Sequence, residues 1–309
     1  MYRIWVYGAG AVGGFYGAKL ALAGNEVLFV ARGEHLHSLQ TQGLKIESIE
    51  GDISLNHVQC CSEDELEEHF PPDFVIVATK RLSNKHVADR LKVVLAPHVP
   101  VLIFQNGLHS ERIFEERLIA DRVCRVIIQL SSAIISPGVI RHSANGDVLV
   151  PLGGAGADQL IEAFGSSGVR IETSENFPQK IWSKLVWNAS FNSVSALSRQ
   201  TTKFILDNPD GNELIRALMK EVILIAEKSG VELSPKLIDT QIKLTYEDLV
   251  DISTSTLEDV KAGKPIEYQA IVGDLIEEAE RLEIKVPHLK TVYTLLKLLD
   301  QSQLTLNDS

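Results

Sequence analysis

An apolar run leads directly into a glycine-rich segment at the start of the chain: Arg3-Ile4-Trp5-Val6-Tyr7-Gly8-Ala9-Gly10-Ala11-Val12-Gly13. In a dinucleotide site, the first glycine of such a G-x-G-x-x-G segment makes the tight turn after a strand. The second lets the backbone approach a pyrophosphate, and the third lets the next helix pack against the strand. The helix N-terminus then offers free N–H groups to the phosphates. Because a strand pattern precedes the glycines and a helix pattern follows them, the segment predicts a dinucleotide site rather than a flexible turn.

The end of the second predicted strand indicates which dinucleotide binds. Residues 11–23 have a helical pattern. Residues 26–31 then form an apolar predicted strand, and Arg32 follows it directly. An NAD site usually carries an acidic residue here for the ribose hydroxyl, whereas a cation suits the 2′-phosphate of NADP. Arg32 therefore favours NADP(H). Glu34 lies two residues further and could bind the ribose instead, so NAD(H) remains the alternative.

Composition and charge exclude several classes of partner. The chain has 309 residues, of which 45% are hydrophobic, and a formal net charge of −11, so we expect neither a nucleic acid nor an anionic membrane as partner. No apolar run is long enough to span a bilayer, and the first strand leaves no room for a leader. Cys60, Cys61 and Cys124 have the spacing of neither a metal site nor a disulfide framework. We therefore expect a cytoplasmic protein with reduced thiols and no metal.

The first half of the chain alternates strands with helices, which is typical of a doubly wound, Rossmann-type α/β sheet. After the second strand, the pattern predicts strands over residues 44–49, 53–60, 73–79, 100–105, 122–129, 134–142, 147–151 and 169–173. It predicts helices between them over residues 84–95, 111–118 and 158–164. A turn at residues 50–52 predicts a hairpin. Residues 1–174 are thus predicted to form an NADP-binding domain of the Rossmann type.

The second half has a purely helical period. A polar stretch that ends at Pro178 predicts the domain boundary, so residues 175–309 are expected to form an all-α domain. The predicted helices cover residues 178–197, 208–229, a segment opened by Ser234-Pro235, and residues 246–262, 265–282 and 287–299. Asn208-Pro209 has the residue types of an N-cap and a first helical position. Residues 301–309 are polar and are expected to fray.

Candidate site residues lie in two places. Lys80 and Asn106 each follow a predicted buried strand, as Arg32 does, and ligands bind at the carboxyl ends of such strands. Lys184, Asn188 and Asn192 are spaced i, i+4, i+8 on a helix that is apolar nearly all round, with Ser195 near the same stripe. A narrow solvent-facing strip is the alternative. Asparagine is a poor residue for an exposed helix position, so the stripe better suits a small carboxylate or hydroxy-ketone.

Several short motifs stand in a specific order and spacing along the chain. They are Gly8-Ala9-Gly10-Ala11-Val12-Gly13, Ala78-Thr79-Lys80, Gln105-Asn106-Gly107, Ser136-Pro137-Gly138, Ile181-Trp182-Ser183-Lys184-Leu185-Val186-Trp187-Asn188 with Asn192, Ser255-Thr256-Leu257-Glu258-Asp259 and Gly263-Lys264-Pro265-Ile266-Glu267. In this order they resemble the ketopantoate reductase (2-dehydropantoate 2-reductase) family over nearly the whole chain. The resemblance implies NADPH-dependent reduction of 2-dehydropantoate to (R)-pantoate, a step toward pantothenate and coenzyme A.

The resemblance also implies roles for individual residues. Lys184 matches the family's catalytic lysine, a general acid that protonates the carbonyl oxygen and stabilises the alkoxide, and Glu267 matches the glutamate that holds this lysine or a substrate hydroxyl. Further matches to the family's substrate-binding positions are Asn188, Asn192 and Ser255. Lys80 and Asn106 match residues that reach the nicotinamide end and the active site, and Arg32 matches the 2′-phosphate arginine. The cofactor-binding set is completed by Gly8, Ala9, Gly10, Ala11, Val12 and Gly13.

The chain departs from the family pattern near the substrate side. Residues 199–204 lack the usual glycine-containing motif, the usual Ser-Met pair is Ser255-Thr256, and Gln269 replaces an acidic residue. A reductase of another 2-oxo acid is therefore an open alternative. A non-catalytic NADP(H)-binding redox sensor is a second, which the presence of Lys184 and Glu267 disfavours. A 3-hydroxyacid or 6-phosphogluconate-type dehydrogenase is a third. A homodimer is compatible with this domain plan.

Overall fold

The computed structural model describes residues 1–247 and 253–307. The chain divides into two compact units. The first unit comprises Met1–Asn106 and Ser110–Glu175, and the second comprises Gly107–His109 and Asn176–Ser309. The short segment Gly107–His109 thus packs with the second unit, although both of its neighbours in the chain belong to the first.

The described strands all belong to the first unit. They are β1 (Arg3–Tyr7), β2 (Glu26–Val30), β3 (Leu44–Ser48), β4 (Ile53–Leu55), β5 (Gln59–Cys61), β6 (Phe74–Val77), β7 (Val101–Ile103), β8 (Val123–Arg125), β9 (Ile127–Ser136), β10 (Val139–Pro151) and β11 (Ile171–Ser174). The helices of this unit are α1 (Ala11–Leu22), α2 (Gly33–Gln42), α3 (Asn84–Val94), α4 (Arg112–Arg117) and α5 (Ala157–Phe164).

A six-stranded parallel sheet forms the centre of the first unit. Its strand order is β5-β2-β1-β6-β7-β8, and every neighbouring pair is parallel. The order reverses direction between β1 and β6, which is the Rossmann arrangement with its ligand crevice at the carboxyl ends of the strands. All four residues of β6 are buried, as expected for a parallel strand covered on both faces. The predicted doubly wound α/β fold is confirmed.

A second sheet, which the sequence did not predict, packs in the same unit. Its order is β11-β10-β3-β4, and β9 pairs with β10 as a long antiparallel hairpin. The strand predicted over residues 53–60 is wrong as one element, because β4 turns back on β3 whereas β5 joins β2 in the other sheet. Residues 122–129 likewise divide between β8 and β9. Residues 134–142 are not one strand but the turn of the hairpin, where Gly138 has φ +77°.

Helix α1 lies between the two sheets and is buried without a break from Gly13 to Leu20. A Cβ on Gly17 would be 2.4 Å from Phe29 of β2, in the parallel sheet. A Cβ on Gly14 would be 2.3 Å from Ile140 of β10, in the second sheet. Glycine at these two positions of α1 therefore lets Phe29 of one sheet and Ile140 of the other approach the helix backbone. Helix α2, between β2 and β3, was also absent from the sequence prediction.

The described part of the second unit is helical throughout. Its helices are α6 (Phe177–Trp187), α7 (Ser193–Ser198), α8 (Thr202–Asp207), α9 (Pro209–Lys228), α10 (Leu237–Glu247), α11 (Ser255–Lys261), α12 (Asp274–Arg281) and α13 (Pro287–Asn307). A π-turn, Asn188–Asn192, joins α6 to α7, and a second π-turn, Gln269–Gly273, precedes α12. Asn208 caps α9, accepting the Gly211 N–H at 2.9 Å, as its sequence predicts.

Three predicted boundaries in this unit need correction. The helix predicted over residues 246–262 is wrong as one element: α10 extends to Glu247, α11 covers Ser255–Lys261, and residues 248–252 lie outside the described part. Residues 265–267 precede a helix that starts at Tyr268, and the Ile266 N–H donates to the Asp300 carboxylate at 2.7 Å. The tail does not fray at residue 301, since α13 continues to Asn307. Residues 308–309 are outside the described chain.

Candidate dinucleotide and substrate sites

The first and third glycines of the segment Gly8–Gly13 each have a steric reason. Gly8 has φ +96°, and a Cβ there would lie 2.8 Å from the Thr79 backbone nitrogen. A Cβ on Gly13 would lie 2.2 Å from the Gly8 carbonyl oxygen, so only glycine lets α1 start this close to β1. These are the turn-forming and packing roles of the first and third glycines in a dinucleotide loop.

Gly10 differs from its neighbours because a Cβ there would meet no described atom within 4 Å. Its missing side chain faces open space at the N-terminus of α1, where Ala11 and Val12 begin the helix. Backbone without a side chain, next to the positively polarised N-terminus of the twelve-residue helix α1, can approach and bind a pyrophosphate. The loop therefore fits a dinucleotide at the position where the backbone must come closest.

Arg32 lies directly after β2 and before the first helical residue of α2. Its side chain is exposed and forms no ion pair with a described residue. Glu34, also exposed, is in the first turn of α2. Both candidates for the ribose end thus stand at the carboxyl edge of the parallel sheet, and both are accessible.

Lys80 and Asn106 follow β6 and β7 at the same edge of the sheet. Lys80 is exposed and Asn106 is half-buried. Between them lies a buried amide pair: Asn84 and Gln105 donate to each other's oxygens at 2.8 and 2.7 Å, and Gln105 also donates to the Thr79 carbonyl at 2.6 Å. Gln105, singled out in the sequence beside Asn106, therefore fixes the two strand ends to each other.

In the second unit, the stripe Lys184, Asn188 and Asn192 crosses from α6 into the π-turn. In an α-helix, residues four apart are displaced by about 40° around the axis. The wider π-turn rotates less per residue, which reduces this displacement between Asn188 and Asn192. The Ser190 hydroxyl donates to the Val186 carbonyl at 2.9 Å, within the segment where the hydrogen-bonding pattern changes. Such π-turns inside helices are frequent at functional sites.

Asn192 is 5% exposed, yet its amide forms no hydrogen bond with any residue that the structure describes. Asn188 is half-buried and also has no described side-chain hydrogen bond. Two such amides one π-turn apart are therefore available to a polar ligand. A plain solvent-facing strip, the alternative from sequence, does not agree with this burial.

The π-turn with Asn188 and Asn192 contacts both α11 and the second π-turn of this unit. Ser255 is exposed and is the first residue of α11, which Thr254 caps by accepting the Leu257 N–H at 3.2 Å. Glu267 is half-buried and accepts the Ile271 N–H with its carbonyl at 3.0 Å, so it lies at the start of the helix. The second unit thus brings together the elements that carry the predicted substrate-side residues.

Gln269, Thr202 and Thr256 depart from the family pattern, and each is either hydrogen-bonded to other side chains or buried within the second unit. Gln269 donates to Glu277 at 2.7 Å and accepts the Tyr293 hydroxyl at 3.0 Å, so both ends of its amide are engaged. Thr202 is fully buried, and Thr256 is buried in α11. The Ser195 hydroxyl, near the predicted stripe, is also fully buried and donates to the Gln200 carbonyl at 2.6 Å, a contact at the end of α7.

Sequence reasoning missed two features that shape these sites. The first is the π-turn, because the apolar period of the sequence continues through it. The second is His35 on α2, whose imidazole contacts the Ala9 carbonyl at 2.7 Å. No local pattern marks His35, because its partner is twenty-six residues earlier in the chain.

The strand order and the glycine loop define the first unit as a dinucleotide-binding Rossmann domain, and a helical unit follows it. Comparison with protein families agrees. Residues 4–153 match the family described as "Ketopantoate reductase PanE/ApbA", and residues 176–300 match "Ketopantoate reductase PanE/ApbA C terminal". The chain belongs to the ketopantoate reductase family and is an oxidoreductase that uses a nicotinamide cofactor.

Curated relatives and solved structures cover nearly the whole chain. The 2-dehydropantoate 2-reductases of Nostoc sp. and Mesorhizobium japonicum are 28% and 29% identical, each over 96% of this chain and 94% and 97% of their own. The crystal structure of 2-dehydropantoate 2-reductase from Geobacter metallireducens has a TM-score of 0.89 at 29% identity, over 96% of this chain and 99% of that one.

One further structure shows the fold alone. A ternary D-mandelate dehydrogenase with NADH and anilino(oxo)acetate has a TM-score of 0.90 at 20% identity, over 97% of this chain and 99% of that one. Among the described helices, none has the length and apolar character needed to cross a membrane.

Proposed function

We propose that this protein reduces 2-dehydropantoate to (R)-pantoate with NADPH. The observation that carries the proposal is the pair of amides on the π-turn, Asn188 and Asn192, which are buried or half-buried without a described partner. They stand on the helix of Lys184, and their turn contacts the element that follows Glu267. Two amides and an ammonium fit a substrate with a carboxylate, a ketone and a hydroxyl. The relatives named above as 2-dehydropantoate 2-reductases support this choice of substrate.

Residues 1–174 are proposed as the cofactor domain and residues 175–309 as the substrate domain. In the first, Gly8–Gly13 and the start of α1 would hold the pyrophosphate, and the Arg32 guanidinium would bind the 2′-phosphate. Lys80 and Asn106 would bind at the nicotinamide end, where the strand ends meet. NADPH, when bound, supplies the hydride.

In the second domain, Asn188, Asn192 and Ser255 would hold the substrate's polar groups. Lys184 would donate a proton to the carbonyl oxygen as the carbonyl carbon is reduced, and its charge would stabilise the developing alkoxide. Glu267 would orient Lys184 or a substrate hydroxyl. A homodimer is proposed as the working form, because a ketopantoate reductase of similar fold from Staphylococcus aureus is described as dimeric.

The test is NADPH oxidation by the purified protein with a panel of 2-oxo acids, including 2-dehydropantoate, 2-oxoisovalerate and phenylglyoxylate. We expect the highest kcat/KM with 2-dehydropantoate. A higher kcat/KM with another acid would overturn the substrate and keep the reductase. No turnover with any acid, while NADPH still binds, would support the sensor instead.

A further inference from the structure

His35 connects the dinucleotide loop to the turn of the β9–β10 hairpin. Its Nε2 atom is 2.7 Å from the Ala9 carbonyl oxygen, and its Nδ1 atom is 3.1 Å from the Gly138 backbone nitrogen. The imidazole is about half-buried. One side chain on α2 therefore bridges two backbone groups that are more than a hundred residues apart in the chain.

The two partners fix the tautomer of the ring. A carbonyl oxygen only accepts and a backbone N–H only donates, so Nε2 must carry the proton and Nδ1 must accept. Burial lowers the pKa of His35, which favours this neutral form. A protonated ring would point an N–H at the Gly138 N–H and lose that bond.

The hairpin end of this bridge is closely packed. Gly138 has φ +77°, and a Cβ there would be 3.1 Å from the Ser38 Cβ and 3.3 Å from the Gly43 carbonyl oxygen. The Gly138 carbonyl also accepts the Lys45 N–H at 2.9 Å. Ser136-Pro137-Gly138, one of the motifs behind the family resemblance but given no function of its own by the sequence, thus holds the imidazole through Gly138.

At the other end of the bridge, the bond to the Ala9 carbonyl controls the orientation of the Gly10 N–H. The Gly8 and Ala9 N–H groups both donate to the Val30 carbonyl at 3.0 Å, which fixes the chain on one side of Ala9. The Ala9 carbonyl and the Gly10 N–H belong to one planar trans peptide, in which the two groups point in opposite directions. Holding the carbonyl therefore sets the direction of the Gly10 N–H, which has no described backbone partner.

We propose that His35 is a positioning residue for the cofactor, which aims the Gly10 N–H at the pyrophosphate through the Ala9–Gly10 peptide. The proposal rests on dinucleotide binding at Gly8–Gly13 and is independent of which 2-oxo acid is reduced. His35 itself does not touch the cofactor in this role. It prepares the loop before binding, so that the backbone need not reorient when the phosphates arrive.

The experiment measures the Kd for NADPH by fluorescence titration in the full-length protein and three variants. His35→Leu removes the donor and the acceptor, whereas His35→Gln keeps one of each. His37→Leu is the matched control, because His37 is exposed on the same helix. We expect His35→Leu to raise the Kd about tenfold, from the loss of one or two ordinary hydrogen bonds. His35→Gln should restore most of the affinity, and His37→Leu should match the unsubstituted protein.

A purely structural role would give a different result: a lower Tm for His35→Leu with an unchanged Kd for NADPH, which would overturn the proposal. If His35→Leu does not fold, ¹⁵N NMR of the unsubstituted protein decides. We then expect His35 in the neutral Nε2–H form, with imidazole signals that shift when NADPH is added. Signals that do not respond to NADPH would also overturn the proposal. Failure of the unsubstituted protein to bind NADPH would instead overturn the proposed function.

Discussion

Lys184, the proposed proton donor, is half-buried near the end of α6, one turn before Asn188 and two turns before Asn192. Lysine can act as a general acid only if it can also release its proton, whereas arginine keeps its charge and does not. Comparing lysine with arginine at residue 184 therefore distinguishes the effect of proton donation from the effect of positive charge.

We predict that Lys184→Ala lowers kcat at least about 10²-fold, the usual effect of removing a general acid. Lys184→Arg should be similarly slow, because its guanidinium does not donate a proton. Lys180→Ala is the control, since Lys180 is exposed one turn earlier on the same helix. Steady-state rates with saturating NADPH measure the effect. Recovery of kcat in the arginine variant would show that charge alone is needed at residue 184.

Arg32 is the residue that we propose to select between the two nicotinamide cofactors. We predict that Arg32→Ala raises the Kd for NADPH about 10- to 100-fold, since a charge-assisted hydrogen bond contributes about 1.5–3 kcal/mol. The Kd for NADH should change little, because NADH has no 2′-phosphate. Glu34→Ala is the matched variant. Two results would contradict the role of Arg32 in 2′-phosphate recognition. One is an equal loss of affinity for both cofactors in Arg32→Ala, and the other is a selective loss of affinity for NADH in Glu34→Ala.

At the scale of elements, sequence predicted best where the cause is local. The glycine loop, the cap at Asn208 and the buried run of β6 each follow from neighbouring residues. The division of residues 53–60 between two sheets does not, because β4 and β5 are decided by partners far away in the chain. The π-turn at Asn188 was missed for a related reason: the apolar period of α6 and α7 continues through it, so the pattern indicates one α-helix.

The contact between α1 and β2 gives a prediction at this scale. Alanine on a helix is favoured over glycine by about 1 kcal/mol, but a Cβ at residue 17 would be 2.4 Å from the buried Phe29 ring. Overpacking costs about 1–3 kcal/mol, so we expect Gly17→Ala to lower the free energy of unfolding.

A double-mutant cycle with Phe29→Leu identifies the cause. The smaller side chain leaves a cavity in the parent protein but relieves the contact in Gly17→Ala. The two substitutions should therefore cost less together than the sum of their separate costs. Additive losses in urea unfolding would show that the Phe29 ring is not what excludes a side chain at residue 17.

At the scale of the whole molecule, the three cysteines report on how completely the first unit is folded. Burial raises the pKa of the Cys61 and Cys124 thiols to about 12, and it also raises the pKa of Cys60. A raised pKa keeps the thiol neutral, and only the thiolate reacts quickly.

We predict that Ellman's reagent modifies the native protein slowly at a pH of about 8.5, which equals the pKa of an ordinary thiol. All three cysteines should react at once in denaturant, and the half-buried Cys60 should react first in the native protein. Fast reaction of Cys124 under native conditions would mean that the first unit opens more readily than its packing indicates.

The glycines around α1 also bear on how this sequence can change over evolutionary time. Gly14 and Gly17 are required by the two sheets that pack on the helix, whereas Gly10 faces open space and has a use only in the proposed dinucleotide site. In a lineage that abandoned its nucleotide, selection on Gly10 would relax first, while Gly14 and Gly17 would stay fixed by the fold. A homologue with a side chain at position 10 and glycine at 14 and 17 would thus be a protein that kept the architecture and lost the chemistry.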